Sequence, residues 1–149
     1  MSYTSLLYHI VLRTKYSDWA IDESHEEELY AYIGGMIRKK DCQLYRINGM
    51  PDHLHLFVSI HQSIAISEFI KVLKGETSKW MKQSGKFSKF RGWGDGYCAI
   101  SYNARDADMI CNYIANQKSH HRNATFPEEF EMILKRQGIE PNPDYFLKD

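Results

Sequence analysis

A strand-like run that carries two histidines is the feature that most restricts what this chain can fold into. In DHLHLFVSI, residues 52–60, every second residue is apolar, namely Leu54, Leu56, Val58 and Ile60. Because successive side chains of a strand point to opposite faces, His53 and His55 share the other face. The run predicts a strand with one face in a hydrophobic core. The opposite face carries either a metal site or two hydrogen-bonded histidines.

Three further segments have the composition of strands. SLLYHIVLRT, residues 5–14, is rich in β-branched and aromatic residues that alternate with a period of two. CQLYRING, residues 42–49, precedes the histidine strand, and we expect residues 48–51 to form the hairpin turn between them. GYCAISY, residues 96–102, is the fourth predicted strand.

Helical spacing of apolar residues separates these strands. Ser24 and Glu27 form a capping-box pattern in front of a first predicted helix. A second helix is predicted over 66–80, a third from 106 to about 121, and a fourth over 126–138. The order β-α-β-β-α-β, followed by helices, predicts an α/β (α+β) fold of the ferredoxin-like split βαβ type, with an antiparallel sheet and additional C-terminal helices.

Length and composition restrict the class of protein. The chain has 149 residues, which predicts one domain over 1–149. Its 19 Lys and Arg balance 19 Asp and Glu, so the formal net charge is zero and does not by itself indicate a nucleic-acid partner. The three cysteines form no CxxC pair, and no apolar stretch is long enough to span a membrane. We therefore expect a cytoplasmic protein without a membrane partner.

The stretch MICNYIANQKSHH, residues 109–121, places a tyrosine and a glutamine four positions apart. On a helix Tyr113 and Gln117 are neighbours on one face, where a phenol and a carboxamide oxygen can point to the same place. Taken alone, such a pair usually lies at the boundary of a hydrophobic core. Its meaning depends on the rest of the chain.

The two motifs together resemble a known family. HLHL, preceded by GMPDH, and NYIANQKSHH, followed by TFPEEF, are similar to the small single-tyrosine transposases of the HUH superfamily and their repeat-associated chromosomal relatives. The stretch RTKY, residues 13–16, is similar as well, whereas the final GIEPNPDYFLKD has no match that we can justify.

The resemblance implies a chemistry and a set of partners. It implies that His53, His55 and Gln117 bind a divalent metal ion, magnesium or manganese, and that Tyr113 is the catalytic nucleophile. Histidine and amide ligands suit manganese better than magnesium, which prefers oxygen. The implied substrate is single-stranded DNA with a hairpin, and the implied assembly is a homodimer, with an active site built within one chain or across two.

Positive charge is concentrated in one part of the chain. Between residues 71 and 91 only Glu76 opposes seven basic residues: Lys71, Lys74, Lys79, Lys82, Lys86, Lys89 and Arg91. The predicted DNA-binding residues are Arg13, Lys15, Lys71, Lys74 and Lys82. We also expect Phe87, Phe90 and Trp93 to contact unstacked bases from a loose loop over 85–96. The alternative is a solvated helix face followed by a mobile loop.

The sequence thus predicts a metal-dependent transposase that cleaves and rejoins single-stranded DNA through a 5′-phosphotyrosine intermediate. A domesticated protein that binds or nicks hairpin DNA without transposition is one alternative, and a metal-free, ferredoxin-like RNA-binding module is another. Outside the HLHL motif the histidines are interpreted as ordinary, although His120 lies near enough to Tyr113 on the predicted helix to assist it. These histidines are His9, His25, His61, His120 and His121.

Overall fold

The structure is a computed structural model that describes residues 1–142. Its strands are β1 (Leu7–Arg13), β2 (Gln43–Met50), β3 (His53–Ser59) and β4 (Cys98–Tyr102). Its α-helices are α1 (Glu26–Lys39), α2 (Ile66–Ser84), α3 (Ala107–Ala115), α4 (Gln117–His120) and α5 (Phe126–Arg136).

The four strands form one antiparallel sheet in the order β2-β3-β1-β4. The two inner strands, β1 and β3, are the first and third strands of the β-α-β-β-α-β unit, and each begins one of its two β-α-β halves, as the ferredoxin-like arrangement requires. Their register sets Val11 opposite His55 and Arg13 opposite His53. The predicted fold class is confirmed, and both histidines lie at the centre of the sheet.

Helices cover both faces of this sheet. On one face the apolar side of β3, including the fully buried Leu54 and Leu56, packs with Leu29 and Ile33 of α1 and with residues of α2 in the main core. On the other face α3 and α5 pack against the sheet through smaller apolar clusters. The C-terminal helices therefore bury the face that carries the histidines.

The hairpin between β2 and β3 is tighter than the sequence indicated. We predicted a turn over 48–51, but β2 continues to Met50 and only Pro51 and Asp52 separate the strands. Gly49 makes this pairing possible, because a Cβ atom there would lie 2.2 Å from the carbonyl oxygen of His53. The hairpin prediction is right in kind, and its turn is displaced towards the histidines.

Two predicted helix boundaries are wrong. Ser24 does not cap α1, because its backbone N–H and its hydroxyl both donate to Asp22, and α1 begins at Glu26. The helix predicted from 106 to about 121 is divided at Asn116, where φ is −96° and ψ is 17°. Asparagine has a low helix propensity. The break directly precedes Gln117, whose side chain is fully buried.

The loop over 85–96 is packed rather than loose. Phe87, Phe90 and Trp93 are all buried in the main core, and the indole N–H of Trp93 donates to the hydroxyl of Thr77 over 2.8 Å. Their predicted contact with DNA bases is therefore wrong, because the apolar core takes up these rings. The sequence also predicts a loose tail from Glu140, and most of that tail, residues 143–149, lies outside the described part of the chain.

Two further observations bear on the class of protein. All three cysteines are free, and Cys42 and Cys98 are buried as small core residues. Within residues 1–142 no helix combines the length and the apolar character needed to cross a membrane.

Candidate metal centre and active site

A carboxylate from α5 meets both histidines of β3. His53 and His55 are fully buried, and their Nε2 atoms lie 3.2 and 3.1 Å from Oε1 of Glu129. The ligand atoms of these three residues all lie within 4.8 Å of one another, so the three side chains could hold a metal ion. Because β3 and α5 are distant in the chain, tertiary packing creates this cluster.

Gln117 and His121 complete the surroundings of the carboxylate. Oε1 of Gln117 lies 3.2 Å from Nε2 of His53, and its amide nitrogen donates to Oε2 of Glu129 over 2.7 Å. Nε2 of His121 lies 2.9 Å from Oε1 of Glu129. The structure thus brings together the three predicted metal ligands and adds an acidic residue to them.

Each β3 imidazole is also held from its other nitrogen. Nδ1 of His53 lies 2.7 Å from Oδ1 of Asp52, and Nδ1 of His55 lies 2.8 Å from Nε2 of His9 on β1. Partners of this kind orient the rings of metal-binding histidines and select their tautomers. Both Nε2 atoms are therefore aimed at the place where the carboxylate lies.

Tyr113 reaches the same carboxylate from α3. Its hydroxyl donates to Oε2 of Glu129, and its half-buried ring lies edge-on to His55 at 5.8 Å between centroids. Although the helix is divided between them, Tyr113 and Gln117 still converge, since both donate to Oε2 of Glu129. The predicted nucleophile therefore lies beside the candidate metal ligands.

Burial and hydrogen bonding give the histidines different protonation behaviour. Burial lowers the pKa of His55 to about 4 and that of His9 to about 3. Burial also opposes the charge on His53, but the hydrogen bonds to Asp52 and Glu129 outweigh it and raise the pKa of His53. Since both nitrogens of His53 face carboxylate oxygens, this end of the pocket favours a positive charge.

The pKa values of the Glu129 carboxyl group and the Tyr113 phenol shift in opposite directions. Burial opposes ionisation of Glu129, but hydrogen bonds from His121, His53 and His55 outweigh it and lower the pKa of the carboxyl group. Burial, followed by the nearby Glu129 charge, raises the pKa of the Tyr113 phenol well above its ordinary value. These shifts favour an ionised Glu129 and a protonated Tyr113.

The donor set fits a divalent cation. Two imidazole nitrogens, a carboxylate oxygen and an amide oxygen converge, a mixture that suits manganese and neighbouring metals. The buried anion of Glu129 also supplies the charge that a neutral set of His53, His55 and Gln117 lacks.

Sequence reasoning missed three members of this pocket. Glu129 lies in the quoted stretch TFPEEF but was given no role, and His9 and His121 were interpreted as ordinary residues. A hydrophobic pattern on α5 was the available signal, because Glu129 lies beside Phe130 and Ile133 on the buried face of that helix. An acidic residue on a buried helix face requires a partner.

The predicted DNA-binding residues fall into two groups. Arg13 is buried, and its guanidinium donates to the Thr14 carbonyl over 3.0 Å and packs against Gly94. The Lys74 ammonium donates to the carbonyls of Gly94 and Gly96. Lys71 and Lys82 are exposed on α2, as is Lys79, and the Lys15 ammonium lies 5.5 Å from the ring of Tyr16. Arg13 and Lys74 are therefore tied to the protein backbone, and the exposed lysines of α2 are accessible.

Comparisons with known proteins identify a family and a relative. Residues 2–117 match the family model of IS200-like transposases. The ISDra2 transposase TnpA of Deinococcus radiodurans is 26% identical over 117 residues, which cover 75% of this chain and 84% of that protein.

Two solved structures share the fold. A crystal structure described as a transposase of Deinococcus radiodurans R1 matches with a TM-score of 0.61 and 22% identity, over 78% of this chain and 95% of that chain. A REP-associated tyrosine transposase bound to a REP hairpin matches with a TM-score of 0.60 and 14% identity, over 100% of this chain and 94% of that chain. The family match includes His53, His55, Tyr113 and Gln117 and ends before Glu129. On the extent of that match, this chain belongs to the family of IS200-like transposases.

Proposed function

We propose that this protein cleaves and rejoins single-stranded DNA in a metal-dependent reaction with Tyr113 as the nucleophile. The observation that carries the proposal is the convergence of the Tyr113 hydroxyl and the His53 and His55 imidazoles on one buried carboxylate. A nucleophile and a cation site in contact are what phosphoryl transfer through a covalent intermediate requires.

The metal ligands in this proposal are His53, His55 and an oxygen from Glu129, Gln117 or both. A bound divalent cation would polarise the scissile phosphate and would offset the Glu129 charge, which adds to burial in raising the pKa of the Tyr113 phenol. The donor set favours manganese over magnesium, because two of the donors are imidazole nitrogens.

The residues of the chain perform the remaining steps. The Tyr113 oxygen attacks the phosphorus while its proton passes to Glu129, the acceptor of its hydrogen bond. The bond from phosphorus to the 3′ oxygen breaks, and that oxygen takes a proton from water, which leaves a free 3′ hydroxyl upstream and the downstream 5′ phosphate on Tyr113. Reversal by a different 3′ hydroxyl joins new ends, because the phosphotyrosine conserves the energy of the broken bond.

The proposed substrate is a strand that contains a hairpin, and the proposed assembly is a homodimer. A relative of the same fold has been seen bound to a REP hairpin, which supports the hairpin but not the dimer. The exposed Lys71, Lys79 and Lys82 on α2 supply a charged surface for DNA phosphates.

The alternatives are weakened to different degrees. A metal-free RNA-binding module loses its best support, because Phe87, Phe90 and Trp93 are buried. A metal-free RNA-binding function also does not explain why His53, His55 and Glu129 form a buried cluster. A protein that nicks hairpin DNA without rejoining it would use the same pocket, so only an assay of the products separates these two activities.

The decisive experiment is covalent trapping. Purified protein is incubated with manganese and labelled single strands that together span the DNA flanking its gene, then denatured and separated by electrophoresis. We expect a labelled adduct for wild type and none for Tyr113→Phe, which keeps the ring and loses the attacking oxygen. Mass spectrometry of the digested adduct should find DNA on Tyr113.

Tyr102→Phe is the matched control, because Tyr102 is a half-buried tyrosine whose hydroxyl accepts a hydrogen bond from Gln137. It should form the adduct at the wild-type rate. DNA on another tyrosine, or undiminished cleavage by Tyr113→Phe, would reject the proposed chemistry. Adduct formation without any joined product on addition of a second strand would favour the nicking alternative.

A further inference from the structure

Two aromatic side chains project into solvent from the segment that follows β1. Tyr16 is 54% exposed and Trp19 is 73% exposed, whereas Phe87, Phe90 and Trp93 are buried. Two large aromatic rings exposed three residues apart form an apolar patch of the kind that marks binding surfaces. The base contacts that the sequence assigned to the buried rings thus have an alternative location on residues 15–19.

This segment is fixed to the hairpin that carries the histidines. The N–H of Thr14 donates to the Asp52 carbonyl over 3.0 Å, and the N–H groups of Ala20 and Ile21 donate to the Pro51 carbonyl over 3.0 and 2.9 Å. Between these anchors the chain bulges outwards. The two rings therefore project from a bulge whose two ends are bonded to the β2–β3 turn.

The backbone within the bulge is in an uncommon conformation. Tyr16 and Ser17 both adopt positive φ, at 57° and 55°, which costs about 1–3 kcal/mol for each non-glycine residue. The structure maintains this conformation by the anchors at Thr14 and Ala20 and by an ion pair of Asp18 with Arg91. Residues with strained backbone conformations of this kind cluster at active sites and ligand-binding sites.

The indole of Trp19 borders two hollows. One, of about 410 Å³, extends from Trp19 past Asp52 to residues 121–128, and the other, of about 400 Å³, is lined by Trp19, Lys89 and Arg91. The first hollow adjoins the candidate metal centre, since Asp52 holds His53 and His121 contacts Glu129.

Basic groups line these hollows together with acidic ones, which are Asp52 and Glu128 in the first hollow and Asp18, the ion-pair partner of Arg91, in the second. The Arg91 guanidinium lies 4.5 Å from the centroid of the Tyr16 ring, and Lys89 borders the second hollow. Arg122 borders the first hollow and is exposed. Aromatic rings with adjacent cations form the usual surface for single-stranded nucleic acid, in which rings stack on bases and cations meet phosphates.

We propose that Trp19 stacks on one unpaired base of the single-stranded substrate, next to the phosphate that Tyr113 attacks, in the hollow between Trp19 and residues 121–124. The site takes any flat nucleobase, because stacking uses the face of the base rather than its hydrogen-bonding edge. This inference rests on the proposed function for its substrate and adds a binding site to it.

The test measures binding and uses the intact chain. Fluorescein-labelled single strands spanning the DNA flanking the gene are titrated by anisotropy against wild type, Trp19→Ala and Trp19→Phe. We expect Trp19→Ala to weaken binding at least fivefold and Trp19→Phe to retain most of the wild-type affinity, since a phenyl ring still stacks. Tyr45→Ala is the control, because Tyr45 is 44% exposed near the far end of β2 from the turn.

A second measurement locates the base. Each nucleotide near the cleaved phosphate is replaced in turn by an abasic site in the strand that binds best. For the stacked position, base removal should weaken binding to wild type and have no further effect on Trp19→Ala. Additive effects at every position, or equal binding by wild type and Trp19→Ala, would overturn the proposal.

The outcomes separate this inference from the proposed function. If Trp19→Ala binds normally while wild type forms the Tyr113 adduct, the stacking site is wrong and the proposed function stands. If Trp19→Ala loses binding but wild type forms no adduct, Trp19 still contributes to binding, and both the chemistry and the position of the base next to an attacked phosphate are wrong. A change in oligomeric state without a change in DNA binding would assign Trp19 to a protein contact and overturn the stacking site.

Discussion

Replacement of Glu129 by glutamine tests the feature of the site that the sequence did not predict. The change keeps the shape of the side chain but removes its charge and turns one acceptor into a donor. Oε1 of Glu129 lies 3.1 Å from Nε2 of His55 and 2.9 Å from Nε2 of His121, while Oε2 accepts from Gln117 over 2.7 Å. The substitution thus disturbs several hydrogen bonds to a buried anion.

The expected cost follows from these bonds. Hydrogen bonds to charged groups contribute about 1.5–3 kcal/mol each, and part of the loss is recovered when neighbouring groups reorient. We expect Glu129→Gln to lower the free energy of unfolding by about 2–3 kcal/mol. For a chain of this length that corresponds to a fall in Tm of about 4–12 °C, measured by thermal unfolding without metal. Glu128→Gln is the control, because Glu128 is exposed and adjacent.

Addition of metal then tests whether Glu129 is a metal ligand or has only a structural role. Manganese at about 100 times its Kd should stabilise wild type by about 2.7 kcal/mol. Glu129→Gln should lose most of this gain, whereas Gln117→Ala should lose it only if the amide oxygen is the essential third ligand. An unchanged gain in Glu129→Gln would refute the assignment of Glu129 as a ligand and return the site to His53, His55 and Gln117.

Four other predictions follow from the same structure. Replacing both His53 and His55 with alanine should abolish manganese binding in a calorimetric titration, and retained binding would contradict the site. His9→Phe should weaken manganese binding about 10- to 100-fold in the same titration, because His55 loses the partner of its Nδ1. The exposed lysines of α2 are Lys71, Lys79 and Lys82. Changing them to glutamine should reduce the slope of log binding constant against log salt concentration for single strands by about 0.7 per lost phosphate contact. An unaltered slope would show that these lysines face solvent without contacting DNA. Since burial holds the pKa of His55 at about 4, below its unfolded value of 6.5, the unfolded state takes up the proton first. Metal-free stability in urea should therefore fall by about 1–2 kcal/mol per such histidine as the pH drops from 6.5 to 5, and His9→Gln should flatten that fall.

Local periodicity was sufficient to predict the fold class. The alternation in β3 identified both its buried face and the face of His53 and His55, since the direction of a strand side chain depends only on its position. Helical spacing likewise identified α1, α2 and α5. The boundaries that failed, at Ser24 and Asn116, depend on individual hydrogen bonds and dihedral angles that a repeating pattern does not contain.

The composition of a segment was a poor guide to its exposure. The stretch over 85–96 is rich in lysine and glycine, and its rings were expected in solvent. Phe90 and Trp93 instead pack edge-on in the core, at 5.2 Å between centroids. Trp19 received no role from the sequence, yet it is among the most exposed large residues described.

Residues close together in the chain were therefore enough to predict the order of the elements, the strand that carries the imidazoles and the pairing of Tyr113 with Gln117 on one helical face. The contacts between these elements depend on the tertiary fold. Glu129 meets His55 across 74 positions of sequence, and His9 meets it across 46. Contacts at such separations depend on which helix covers which face of the sheet, and that arrangement follows from the burial of apolar surface by the whole chain.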